Sequence, residues 1–230
     1  KKMEEMEVCF LMDRFGYMKL IDKNAYERNK EAVHNENKYV FNCMNTDKIC
    51  IFTDTGKMHT IKAVDIPLGR FRDKGTPVDN LSNYDSSQER MLYVAPVGQL
   101  RSDRLLFVTK TSMCKLVEGA EFDVAKRTIA STKLADEDEL IFIGSASEME
   151  QIVLQSHGGC FLRFLTQEVS TMKKTALGVR GMKLADDDYL EHAYLLAGHQ
   201  EYTISYHDKE YALNKVRLAK RDTKGIKPRI

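Results

Sequence analysis

The sequence predicts an all-β domain, a propeller-like disc of about five four-stranded blades. Three observations lead there. Helical periodicity is poor along nearly the whole chain, and the apolar residues fall instead into short runs broken by Gly, Asp, Asn and Ser. The runs pair about tight turns. The turn positions Gly16, Gly56, Ser112, Gly158 and Lys209 are separated by 40, 56, 46 and 51 residues, and a repeat of about 50 residues with four short strands per unit is the signature of a radial β-array. A lone hairpin cannot bury its faces, whereas several around an axis can.

The first unit is residues 8–21, VCFLMDRFGYMKLI, turning at 13–16. Residues 24–35 are the only locally helical stretch and read as an ordered excursion between blades. The second unit, residues 49–77, organises the rest: a β-rich run to Thr53, a break at Asp54-Thr55-Gly56, and alternating apolar and basic residues to Ala63. It closes on a basic, turn-rich tail, and residues 39–44 are expected as its partner strand. The third hairpin is residues 105–117 with expected partner 91–97, and the fourth is 152–165 with partner 140–143. The fifth is 202–216 with partner 192–196. The whole chain, residues 1–230, reads as a single domain and as a fragment of something longer.

A formal net charge of +1 argues nothing by itself, but its distribution does. Residues 135–151 hold six acids and no Lys or Arg, while 152–184 hold five bases and one acid. Residues 185–201 hold five acids and no Lys or Arg, and 215–230 hold seven bases and one acid. Equivalent positions in a radial repeat share one radius and height, so basic tails after each hairpin become a band that a polyanion can follow. The competing reading is that these charges merely solvate strands and loops.

Apolar runs are far too short for a membrane span, and no secretory h-region is visible, so membrane association is not expected. The five scattered cysteines, Cys9, Cys43, Cys50, Cys114 and Cys160, lack any C-x-x-C and read as free thiols in a reducing cytosol. Nucleotide, zinc-protease and acyl-transfer motifs are missing, so no catalytic residue, metal site or cofactor is expected. The acids Asp186 to Asp188 read as a solvated turn, His192 and His199 as strand residues, and His157 as an exposed turn residue without a partner.

The segments TDTGKMHTIKAVDIP, RDKGTPVDNL and TALGVRGMKL resemble the C-terminal domain of the A subunit of bacterial type IIA topoisomerases, gyrase and topoisomerase IV. The resemblance runs from Val8 to Lys227. It implies a β-pinwheel, with a strand exchanged between neighbouring blades and duplex DNA bent along a basic outer rim. It also implies that chemistry lies elsewhere. The cutting tyrosine, the ATP site and the Mg-binding acids belong to other parts of a holoenzyme, which contains the N-terminal part of the A subunit together with a B subunit. On this resemblance the isolated domain is monomeric, non-catalytic, cytoplasmic and nucleoid-associated.

One departure bears on the type. Strongly wrapping gyrases carry a QRRGGRG-type box where this sequence has YERNKEAVHN, residues 26–35, which contains no glycine and only Arg28 and Lys30 as bases. That favours the topoisomerase IV type, with the gyrase type as the alternative and KRDTKGIK (220–227) as a degenerate box-like stretch. A protein-binding propeller of another kind is the rival class, although the chain has no Trp. The candidate DNA contacts are Lys57, Lys62, Arg70, Arg72 and Lys74 in the second unit, and Lys115, Lys126, Arg127 and Lys133 in the third. The fourth offers Lys173, Lys174, Arg180 and Lys183, and the fifth Lys215, Arg217, Lys220, Arg221 and Lys224. Gly75, Gly178, Gly181 and Gly225 beside them either let backbone approach phosphate or satisfy a turn.

Overall fold

The computed structural model describes residues 2–230. In chain order the strands are β1 (Glu7–Met12), β2 (Tyr17–Ile21), β3 (Tyr39–Met44), β4 (Lys48–Thr53), β5 (Lys57–Lys62), β6 (Thr76–Pro77), β7 (Met91–Pro96), β8 (Arg104–Thr109) and β9 (Met113–Glu118). They continue with β10 (Thr128–Ala130), β11 (Leu140–Ser145), β12 (Gln151–Ser156), β13 (Phe161–Leu165), β14 (Val179–Arg180), β15 (Leu190–Leu196), β16 (Thr203–Tyr206) and β17 (Lys209–Ala212). Two short helices, α1 (Lys23–Arg28) and α2 (Lys30–Glu36), stand between β2 and β3, where the helical excursion was expected.

All five expected hairpins form, but the strands joining the first four come from the unit that follows. β1 pairs with β2 and β3, and β6 adds to β2. The next sheets are ordered β10-β5-β4-β7 and β11-β8-β9-β14. β12 pairs with β13 and β15, and Ile226 bridges Phe161 of β13. β16 and β17 form a two-stranded sheet. Three sheets therefore have four strands, the fourth has three plus a bridge, and the fifth has two.

The partner segments are thus corrected: 39–44, 91–97, 140–143 and 192–196 pair with the preceding hairpin, not the following one. Alternation identifies a strand and its two faces but does not say which edge it joins. Facing side chains decide that. Phe41 lies opposite Phe10 with stacked rings 4.6 Å apart, and Tyr93 opposite Phe52 with ring centres 6.1 Å apart.

Alternation also builds the core, because the first four hairpins are buried on both faces. Ile49 and Ile51 face the first blade's Phe10 and Met12, while Cys50 and Phe52 face Phe107 and Phe122 of the third. Leu106 and Val108 pack on Ile152 and Leu154, and Val153 packs on Leu213 and Val216 of the fifth unit. The first blade's other face, Cys9 and Leu11, is covered by Ala25 of α1, Val33 of α2 and Phe71. Helices, not the fifth hairpin, seal that end.

The exchanged strand enters so close to its host that a side chain is excluded. Gly75, Gly178 and Gly225 have φ of +88°, +106° and +72°. A Cβ there would lie 2.6, 2.6 and 2.5 Å from the carbonyl oxygens of Met18, Cys114 and Phe161 respectively. Of the two readings for these glycines, the structural one is what the fold requires. A Cβ on Gly181 would meet Leu154 and the Cys114 sulfur, so its constraint is packing. Gly178→Ala is expected to lower stability by about 2 kcal/mol or more, combining positive-φ strain with the carbonyl clash, as read by a lowered urea midpoint at unchanged slope.

Candidate nucleic-acid interface

β3, β7, β11 and β15 touch one another in succession, so these edges of the sheets face inward. The opposite edges carry the exchanged strands β6, β10 and β14 and Ile226, and they form the rim. Each exchanged strand is reached by an outer loop that starts after a short 3-10 turn. Those turns are Ala63–Asp65, Gly119–Phe122, Thr166–Glu168 and Leu213–Lys215. The basic tails of the sequence are these loops.

Arg70, Arg72 and Lys74 are exposed on the loop entering the first blade, and Lys126 and Arg127 on the loop entering the second. Lys173 is exposed on the third loop, and Lys215, Arg217, Lys220 and Lys224 on the fourth. Lys57 and Lys62 on β5, Lys133 and Lys183 after the exchanged strands, and Arg180 on β14 are exposed as well. Some of these groups already have partners. Arg180 Nε lies 2.6 Å from Asp222 Oδ1, and Arg127 donates to the Leu81 carbonyl at 3.2 Å. The half-buried Arg221 donates to the carbonyls of Glu168 (2.9 Å) and Arg180 (2.7 Å), and half-buried Lys174 to that of Glu121 at 3.3 Å. Arg72 lies over the Phe71 ring and Lys74 over that of Tyr17, at 5.4 and 5.1 Å.

Lys115 does not belong with them. It is 1% exposed, and its ammonium donates to the carbonyls of Ala176 (2.6 Å), Lys174 (2.9 Å) and Lys173 (3.4 Å). Burial pulls its pKa down to about 8, partly offset by Glu121. No phosphate can reach it, so it is removed from the contact set. Lys19, absent from the contacts expected on sequence, makes the corresponding bonds in the first blade, to the carbonyls of Phe71 and of Asp73 (2.7 Å). Burial lowers its pKa as well. A lysine one position beyond the residue paired with the exchanged strand is the signal that could have found both.

Two concavities open on the rim. One of about 610 Å³ is lined by Lys126, Lys133 and Lys174 with the hydroxyls of Thr128, Thr132 and Thr175. The other, about 520 Å³, lies under the fourth loop beside Arg217, Lys220 and Lys224.

The acidic stretches lie elsewhere, against the hairpin tips. Asp138 accepts from the amide and hydroxyl of Thr111 (3.1 and 2.6 Å), and Asp188 from the Gly158 amide at 2.8 Å. The turn at 186–188 is therefore a tip cap. His157 does have a partner: its Nδ1 is 2.6 Å from Glu191, and its ring stacks on Tyr189. His192 is on β15 as expected, whereas His199 lies in a turn outside any strand. With the long acidic stretches at the tips, bases outnumber acids on the first, third and fourth outer loops although the chain is nearly neutral, while the second loop balances Lys126 and Arg127 with Glu121 and Asp123.

The cysteines are all free. Cys9, Cys43, Cys50 and Cys114 are buried, and burial pushes the first thiol up to about 11 and the others to about 12, so they stay protonated and unreactive. No described helix is long and apolar enough to cross a membrane.

Radiating sheets that share strands, with bases on the shared edge, define a β-pinwheel of the propeller class. The chain belongs to the DNA gyrase C-terminal domain family of β-propellers, whose model matches residues 47–86, 103–147 and 150–197. It is 25% identical over 236 residues to the DNA gyrase A subunit of Ureaplasma parvum serovar 3, covering 96% of this chain and 28% of the relative. Against that of Salmonella typhimurium it is 31% identical over 144 residues, covering 62% and 16%. The chain thus spans about 28% of the length of the Ureaplasma relative, which it matches nearly end to end. In fold it is similar to a solved C-terminal domain of DNA topoisomerase IV, with TM-score 0.84, 22% identity and coverage of 98% of this chain and 73% of that one. It is also similar to the E. coli ParC C-terminal domain, with TM-score 0.75, 13% identity and coverage of 97% and 94%.

Lys115 makes a prediction about pH. Its proton is held less tightly in the fold (about 8) than at the ordinary lysine value of 10.5. The unfolded chain therefore binds more protons between those values, and raising the pH relieves a penalty on the fold. The stability difference between wild type and Lys115→Met should shift toward wild type by about 1 kcal/mol per pH unit from pH 8 to 10. Urea unfolding of both proteins at each pH measures it.

Proposed function

We propose that this domain binds duplex DNA without sequence preference along its outer rim and bends it, positioning DNA for strand passage by a topoisomerase IV-type enzyme. The observation that carries this reading is the placement of exposed bases on every loop leading to an exchanged strand, in excess of acids on the first, third and fourth of them, with the two long acidic stretches set against hairpin tips. Lys and Arg on such a band neutralise phosphates and release counterions, which favours affinity over base reading. A smooth bend of 40–90° over 20–30 base pairs costs about 1–6 kcal/mol, to be offset by several such contacts. The exposed bases, Lys57, Lys62, Arg70, Arg72, Lys74, Lys126, Arg127, Lys133, Lys173, Arg180, Lys183, Lys215, Arg217, Lys220 and Lys224, with half-buried Lys174 and Arg221, are the proposed contacts.

The helix pair supports the topoisomerase IV type. Residues 26–35, where a wrapping box would stand, lie in α1 and α2 around the buried Val33, and Tyr26 bonds His34 at 2.8 Å. A glycine-arginine loop pressed on phosphate has no room in that packed cap. The gyrase type is the second reading. It is favoured by the family model and by the basic stretch 220–227 beside the 520 Å³ concavity.

In either reading the domain is non-catalytic. The ATP site, the Mg-binding acids and the cutting tyrosine are placed in other parts of a cytoplasmic, nucleoid-associated holoenzyme with a B subunit. The domain alone is taken as monomeric.

Mobility shift on linear duplex of about 100 base pairs, across a salt series, is expected to give log Kd rising steeply with log salt, by about 0.9 per neutralised phosphate. Ligation of nicked circles with bound protein should leave linking number unchanged. A positive linking shift would select the gyrase type. Salt-insensitive or absent binding would overturn the DNA reading in favour of a protein-binding propeller.

A further inference from the structure

We propose that Lys19 and Lys115 are positioning residues for DNA binding, holding two of the rim loops by their inner carbonyls so that the loops' basic side chains point outward. The inference rests on the DNA reading above. Counting back from Gly75 before β6 and Gly178 before β14, Phe71 and Lys174 stand four residues before the glycine, and Asp73 and Ala176 two before. Lys19 donates to the first of these pairs of carbonyls, in the first blade, and Lys115 to the equivalent carbonyls in the third. Two lysines 96 residues apart in sequence thus make the same contacts from beneath.

The fold does not require this clamp. In the second blade the equivalent residue is His59, bonded to Glu89 and to Thr128 at 2.9 Å each, and the outer loop from Phe122 to Thr128 is three residues shorter than that from Ile66 to Gly75. In the fourth blade the position is Leu162, and the space under a full-length loop is the 520 Å³ concavity. A blade therefore forms with His or Leu there. What the lysine adds is a fixed loop with a positive charge under it. The nearest acid to Lys115 is Glu121, while Asp13, Glu36 and Asp73 face Lys19, with Arg72 the one base beside it. Burying an ammonium costs free energy, so a side chain kept only to fill the space would be better apolar.

The test is a double-mutant cycle on the whole domain, read by duplex affinity across salt at a temperature where circular dichroism shows every variant folded. Lys115→Met is expected to weaken binding about tenfold near 0.1 M salt and to lower the salt slope by about 2, the share of Lys173 and Lys174. With Lys173→Ala and Lys174→Ala already present, Lys115→Met should change the slope no further. An unchanged slope in Lys115→Met, alongside a lowered urea midpoint, would make the lysine merely structural and overturn the proposal. So would an equal loss in the alanine background. Should Lys115→Met not fold, Lys19→Met against Arg70→Ala and Arg72→Ala gives the same cycle on the partly exposed clamp. Failure of wild type to bind with a salt slope would instead sink the DNA reading on which the clamp depends.

Discussion

The structure depends on one close approach: in the first, third and fourth blades the backbone of the entering segment lies against the carbonyl of its host strand where a side chain cannot fit. Gly75, Gly178 and Gly225 permit it, each at positive φ. Through that contact a hairpin with two bare edges becomes a sheet, and neighbouring units become inseparable. Hydrophobic burial then acts on both faces of the first four hairpins, which is why their strands read ICIF, LLFV and IVL without a polar face. Among the described residues, β16 and β17 pair only with each other.

The same exchange places the charge. A loop that must cross from one unit to the outer edge of the preceding one travels at the largest radius available to the chain. Bases on it are held apart by the spacing of blades rather than by pairwise repulsion. Asp138 and Asp188 serve as hydrogen-bond acceptors at hairpin tips, tied to backbone amides, whereas Asp222 on the fourth loop pairs with Arg180. Net charge near zero and an edge with an excess of bases are thereby compatible.

Much of this is legible in the residues, and what is not has a physical reason. Hairpins at Asp54-Thr55-Gly56 and His157-Gly158-Gly159 are plain because their turn chemistry is local. Residues 39–44 are legible as a strand but not as the partner of β1, since period-two alternation is the same whichever edge is joined. The family resemblance supplies the exchange that the pattern does not. Lys115 looks like any base on a repeat tail; only the depth of the third blade separates it from Lys173. His199 falls outside its expected strand because Ala197 to Gln200 close a turn, the Gln200 amide donating to the Ala197 carbonyl at 3.1 Å.

The helix pair on the first blade gives the molecule a direction. With Ala25 and Val33 covering the face that another blade would need, the stack has a finished end at α1 and α2. A chain leaving the ribosome N-terminus first makes its finished end early, yet its first sheet waits for Thr76 and Pro77 before its last edge is paired. Each later sheet waits likewise on the unit behind it. Maturation is therefore always one repeat in arrears of synthesis, and the newest hairpin is the one with bare edges.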